Sequence, residues 1–209
     1  MADPKKYDRI LDALEQLLID SSMENISVSD IAAKAGIGKG SIYYYFPSKE
    51  AILDALIQRN YEKPLKTAKD LANQTDIPPF TRMAMLFQAC RSSSAAFLKQ
   101  GNEKKRAVTL QESAYLHQKY LNYMISELKP NLAKIIRQGI AAGEIHFDHP
   151  EALAEIVLIV LGVKLNNTFL SATPEDCEYT IRGLIALLEQ GTGVPEGTLN
   201  YLHFTEQEY

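Results

Sequence analysis

Between Lys34 and Lys49 the chain holds three lysines, three adjacent tyrosines and no acid. Lys39, Ser41 and Tyr44 offer a charge, a hydroxyl and a phenol on one exposed side of residues 39–45, a donor set suited to phosphate oxygens and base edges. Local signals say how such a set is held. Ser27 and Asp30 form an S-x-x-D capping box, so a helix begins near Val28, with Ile31 and Ala35 on its inner face. Gly36 supplies the left-handed residue that ends it. A second short helix runs from about Lys39 to Tyr45, Pro47 stops it, and Ser48 caps the next. A helix, a turn of about four residues and a polar second helix is the geometry that lays a helix in the DNA major groove.

The segment resembles the DNA-binding domain of the tetracycline-repressor (TetR) family. The residues that carry the resemblance are Ser27, Ile31-Ala32, Ala35-Gly36, Gly40-Ser41, Tyr43, Tyr45-Phe46 and Ser48-Lys49-Glu50. It runs without a gap from the first helix to the start of the fourth. It implies that Tyr43 and Tyr44 touch the DNA backbone and that Lys49 contacts a phosphate from a helix N-terminus, a place suited to anions. Ser27, Lys39 and Ser41 complete the candidate DNA-binding set. Tyr45, with Phe46 behind it, is expected in the core. Gly38 departs from the family, which often has Ser or Thr there; glycine caps a helix without a side-chain acceptor.

The net charge of −4 over 209 residues is not that of a nucleic-acid binder. Its distribution answers the objection, since Asp8, Asp12, Glu15 and Asp20 of the first helix and the acids of the C-terminal part set the sum. The 46% apolar content supports a substantial core. Cys90 and Cys177 show no metal or redox spacing and read as buried, reduced thiols of a cytoplasmic protein. The N-terminus lacks the apolar stretch of a signal peptide. The longest apolar run, residues 156–163, is far short of a membrane span.

Helical periodicity dominates the whole chain, and no segment alternates as a strand does. Asp3-Pro4 opens the first helix, and Ile10, Leu14, Leu17 and Leu18 form its stripe. Helix four starts at Ser48, and Pro64 should end or kink it. Further helices span residues 80–100, 115–142 (with Pro130 as a kink or junction), 150–171 and 174–191. The fold expected is all-α: a three-helix DNA-binding domain at 1–47, a helical ligand-binding and dimerisation domain at 48–193 with helix four as connector, and a partly disordered tail at 194–209. Residues 151–171 are apolar on more than one face, which marks deep burial or a partner. Leu153, Val157, Val160, Leu161 and Leu165, with Ile181, Leu184, Ile185 and Leu188, can serve either. The family resemblance implies that these two helices pair with a second subunit as a four-helix bundle.

Other constellations carry less. His146-Phe147-Asp148-His149 falls across an interhelical loop, and zinc needs more convergent ligands. Cys90 with His117 lacks any nucleophile motif, and a cysteine on an apolar helical face belongs to a core. No catalytic residue, metal site or cofactor is expected. Met83, Phe87, Cys90, Tyr120, Tyr123, Met124 and Phe169 concentrate on the middle helices, where the resemblance implies a cavity for a small organic effector. Arg91 and Lys164 are weaker candidates for an anionic head group. The expectation is a homodimeric, cytoplasmic repressor, released from palindromic double-stranded DNA by a small organic inducer. The alternative is a helix-turn-helix protein without an inducer, constitutive or governed by a protein partner.

Overall fold

The computed structural model describes residues 3–102, 110–165 and 173–202. The fold is all-α. The helices are α1 (Pro4–Asp20), α2 (Val28–Ala35), α3 (Lys39–Tyr45), α4 (Lys49–Asn73), α5 (Pro79–Asn102), α6 (Leu110–Ala141), α7 (Pro150–Leu165) and α8 (Pro174–Thr192), with a 3-10 turn at Asn200–Leu202.

The helix starts follow local chemistry. The Asp3 carboxylate accepts from the Lys5 amide at 3.0 Å. Ser48 Oγ accepts from the Ala51 amide at 3.1 Å. Thr173 and Asp176 make a reciprocal capping box at α8.

The sequence expects Pro64 to end or kink its helix and Pro130 to be a kink or junction. Pro64 lies inside α4 and Pro130 inside α6, and neither ends its helix. An interior proline costs about 3 kcal/mol. Burying one large apolar side chain returns about 1.5–3 kcal/mol, and the turns that follow each proline bury several. Leu65, Ala68, Leu71 and Ala72 follow Pro64, and Leu132, Ala133, Ile135 and Ile136 follow Pro130.

By its contacts the chain forms two compact units, residues 1–62 with 93–120 and residues 63–92 with 121–209, so the boundary falls inside α4. In the first unit Ile10, Leu11 and Leu14 of α1, Ile31 of α2, Ile42 of α3 and Ile52, Leu53 and Leu56 of α4 form a core. Arg59 clamps α4 to α1 through Asp12 at 2.7 Å and Glu15 at 3.0 Å. Lys119 bonds Asp54 at 2.6 Å. Burial lowers the pKa of Lys119, but the bond and charge of Asp54 outweigh that and hold it above the ordinary lysine value.

In the second unit α6 and α7 meet at Gly162, where an added Cβ would lie 2.8 Å from Leu121 Cδ2. Lys129 pairs with Glu155 between the same two helices. Arg82, 2% exposed, donates to the Leu71 carbonyl at 3.3 Å and to Gln138 Oε1. Gln138 in turn donates to the Ala72 carbonyl at 3.2 Å. A buried cation thus closes the carbonyl end of α4, where the helix dipole favours it. The tail is packed as far as it is described: Leu199 and Leu202 are buried, and the Leu199 amide donates to Glu189 Oε1 at 2.9 Å. The disorder expected after Val194 does not extend over 195–202.

Candidate nucleic-acid interface and the cavity of the second unit

The α2–turn–α3 geometry is built from short-range bonds. Ser27 Oγ accepts from the Asp30 amide at 3.2 Å, and Asp30 Oδ2 accepts from the Ser27 amide at 2.8 Å and the Ser27 hydroxyl at 2.7 Å. The Ser27 hydroxyl, then its amide, holds the Asp30 carboxyl below the usual carboxylate range. Gly36 ends α2 with φ +64°, a left-handed conformation natural to glycine.

α3 then runs with Ile42 buried and Lys39, Gly40, Tyr43 and Tyr44 exposed, Tyr43 at 51% and Tyr44 at 67%. Ser41 is half-buried. Gly38 caps α3 without a side-chain bond. A Cβ built at Gly38 or Gly40 meets nothing within 4 Å, so neither glycine makes room for any part of this chain.

Phe46 is buried, but Tyr45 is not the core residue expected. It is half-buried, its hydroxyl accepts from the Asp3 amide at 3.0 Å, and its ring meets Tyr44 edge-on at 5.2 Å. The phenol stays near the surface because it caps the start of α1. Lys49 sits at the start of α4, half-buried, with Nζ donating to the Met23 carbonyl at 2.6 Å.

Arg9 was not legible as part of this site. From α1 it donates to the carbonyls of Ala35 and Gly36. A contact across 26 residues leaves no local pattern, and an exposed arginine looks like any solvated one.

The second unit contains an apolar cavity of about 40 Å³, lined by Met83 and Phe87 of α5 and by parts of α6, α7, α8 and the tail, among them Leu132, Ile136, Val157 and Leu202. Cys90, Tyr120 and Met124 are buried but do not line it. Tyr120 packs its ring on Tyr61 at 4.4 Å within the first unit. Tyr123 is half-buried; burial, then Glu127, raises its hydroxyl above the usual value. Phe169 lies outside the described residues, as do the side chains of Arg91, His117 and Lys164. Burial pushes the Cys90 thiol up to about 12.

In the histidine loop the His146 amide donates to the Thr192 carbonyl at 2.8 Å, and the Phe147 and His149 rings meet edge-on. Among the described residues no group of three or more His, Cys, Asp or Glu is placed to hold a metal, and no helix is long and apolar enough to cross a membrane.

α7 and α8 carry apolar surface beyond the core. Leu153, Val157 and Leu161, and Ile181, Leu184 and Ile185, face inward. Ile156 at 50%, Ile159 at 43% and Leu187 at 71% face out, and Val160 and Val163 are half-buried. Positions 156, 159, 160 and 163 fall on one helical face.

A capped helix, a left-handed turn and a second helix with its apolar side inward and its lysine and phenols outward define a helix-turn-helix module. Residues 10–56 match the family model for bacterial regulatory proteins of the tetR family. The HTH-type transcriptional regulator EthR of Mycobacterium tuberculosis is 48% identical over 61 residues, 28% of this chain and 28% of that protein. The match therefore spans little more than a quarter of the curated relative. FadR of Bacillus subtilis, solved in complex with stearoyl-CoA, superposes with a TM-score of 0.63 at 23% identity, over 88% of this chain and 98% of that one. SmeT of Stenotrophomonas maltophilia, solved with triclosan, gives 0.64 at 15% identity, over 92% and 93%. At these identities the structural likeness is one of fold. Over residues 10–56 the chain is similar to the DNA-binding segment of the tetR family.

Proposed function

We propose that the chain is a DNA-binding transcriptional regulator that represses as a homodimer on a palindromic operator. The observation that carries this is α3, a short helix anchored by Ile42 that presents Lys39, Tyr43 and Tyr44 outward, in a segment 48% identical to a curated regulator. Tyr43, Tyr44 and Lys49 hold phosphates, while Lys39 and Ser41 reach base edges. Ser27 stands at the start of α2, its hydroxyl engaged with Asp30. The outward apolar face of α7 and α8 packs on its copy in a partner subunit, and two-fold symmetry sets the spacing of the half-sites.

A small organic effector enters the second unit beside Met83 and Phe87 and shifts the dimer away from the operator-bound arrangement, provided it binds the other arrangement better. FadR and SmeT, which share the fold, were solved with stearoyl-CoA and triclosan, and this supports an organic ligand. One observation favours a second reading, a regulator without an inducer. A cavity of about 40 Å³ is well below the roughly 150 Å³ that a dry apolar cavity offers to benzene, so an organic ligand at that site must widen it.

The test is selection of duplexes from random DNA by the purified protein. A symmetric site bound with steep salt dependence is expected. Recovery of no symmetric site, or binding indifferent to salt, overturns the proposal.

A further inference from the structure

Arg9 belongs to α1 and to neither element of the helix-turn-helix pair, yet its guanidinium reaches the turn between them. Nη2 donates to the Ala35 carbonyl at 2.5 Å and lies 3.4 Å from the Gly36 carbonyl. The amides of the turn point elsewhere: Gly36 N–H donates to the Ala33 carbonyl and Ile37 N–H to the Ala32 carbonyl. Arg9 takes the carbonyls that follow, at a helix C-terminus whose dipole favours a cation. A Cβ at Gly36 would stand 3.0 Å from Nη2. The glycine that makes the left-handed turn also leaves room for the guanidinium.

We infer that Arg9 is a positioning residue for DNA binding: it braces the turn and so fixes the angle at which α3 meets the duplex, and it is not a phosphate ligand. The inference rests on the regulator reading for its DNA consequence only; the brace itself is a property of the free protein. Nη2, held by the two carbonyls of the turn, faces into the protein and not toward a phosphate. A change in the turn, by contrast, displaces every contact that α3 makes.

Full-length Arg9→Met, which keeps the apolar stem, and Arg9→Lys, which keeps a charge, separate these roles. In hydrogen exchange followed by mass spectrometry, peptides spanning residues 33–40 should exchange about fivefold faster in Arg9→Met, with peptides from residues 50–57 unchanged. Arg9→Lys should fall between Arg9→Met and wild type. On a duplex recovered by the wild-type protein from random DNA, Arg9→Met should weaken binding about tenfold, the loss expected for a charged hydrogen bond, with the slope of log affinity against log salt unaltered. A slope shallower by about one ion would make Arg9 a phosphate contact and overturn the inference. Unchanged exchange in residues 33–40, or a lowered melting temperature with full affinity, would overturn it too. If the wild-type protein recovers no duplex, the regulator reading falls while the exchange measurement still decides the brace. Should Arg9→Met fail to fold, Arg9→Gln retains an amide donor near Ala35 and carries both measurements.

Discussion

Lys49 carries three ammonium donors and uses one on the Met23 carbonyl, which leaves two for a phosphate. Lys49→Ala should therefore lower affinity for operator and random duplexes alike, as Tyr44→Ala should, and it alone should also lower the melting temperature. Competition binding with both duplexes reads the first effect; a changed base preference would reassign Lys49. Gly40 gives a sharper test. A methyl there meets nothing within 4 Å, and replacing a helical glycine by alanine stabilises by up to about 1 kcal/mol. Gly40→Ala should raise the melting temperature and weaken DNA binding, because the added group points at the duplex. Unchanged affinity would mean that α3 approaches DNA by another side. Cys90 is the inert extreme. With its thiol pushed up to about 12, it should resist iodoacetamide at pH 8 until urea is added. Its folded pKa lies above the free-thiol value of about 8.5. The stability that it contributes is full below that value and is lost as pH rises toward 12.

At the scale of elements, α7 and α8 separate two roles that periodicity leaves merged. Leu161 and Leu184 are 4% and 8% exposed, whereas Ile156 and Leu187 are 50% and 71% exposed. Leu161→Glu should unfold the second unit, since an unpaired carboxylate buried in a core costs several kcal/mol. Ile156→Glu and Leu187→Glu should leave the fold and helix content intact and convert a dimer into monomers, with operator affinity falling as half the contacts are lost. Sedimentation checks both outcomes; a dimer that survives both outward substitutions would place the interface elsewhere. α4 and α6 make the complementary point. Proline's rule is local and the buried stripe is not, so Pro64 and Pro130 are carried inside long helices that each bury apolar residues on both sides of the proline.

For the whole molecule, the proposed switch depends on whether the second unit can open. A ligand that widens the cavity beside Met83 and Phe87 should raise the melting temperature by mass action and lower operator affinity by the reciprocal coupling. A panel of apolar and amphipathic compounds, run as thermal shifts with and without operator, checks this. Failure across the panel, together with operator binding, would favour the reading without an inducer. The all-α class, the capping box at Ser27, the turn at Gly36 and the outward Lys39 and Tyr44 were all written in the sequence by itself, because each depends on residues within a few positions of one another. The Tyr45 cap on Asp3, the Arg9 brace, the Arg82–Gln138 closure of α4, the packed tail and the location of the cavity were decided only by the tertiary structure. Each of them joins residues distant in the chain, and a hydrogen bond or a buried face of that kind leaves no periodicity to read.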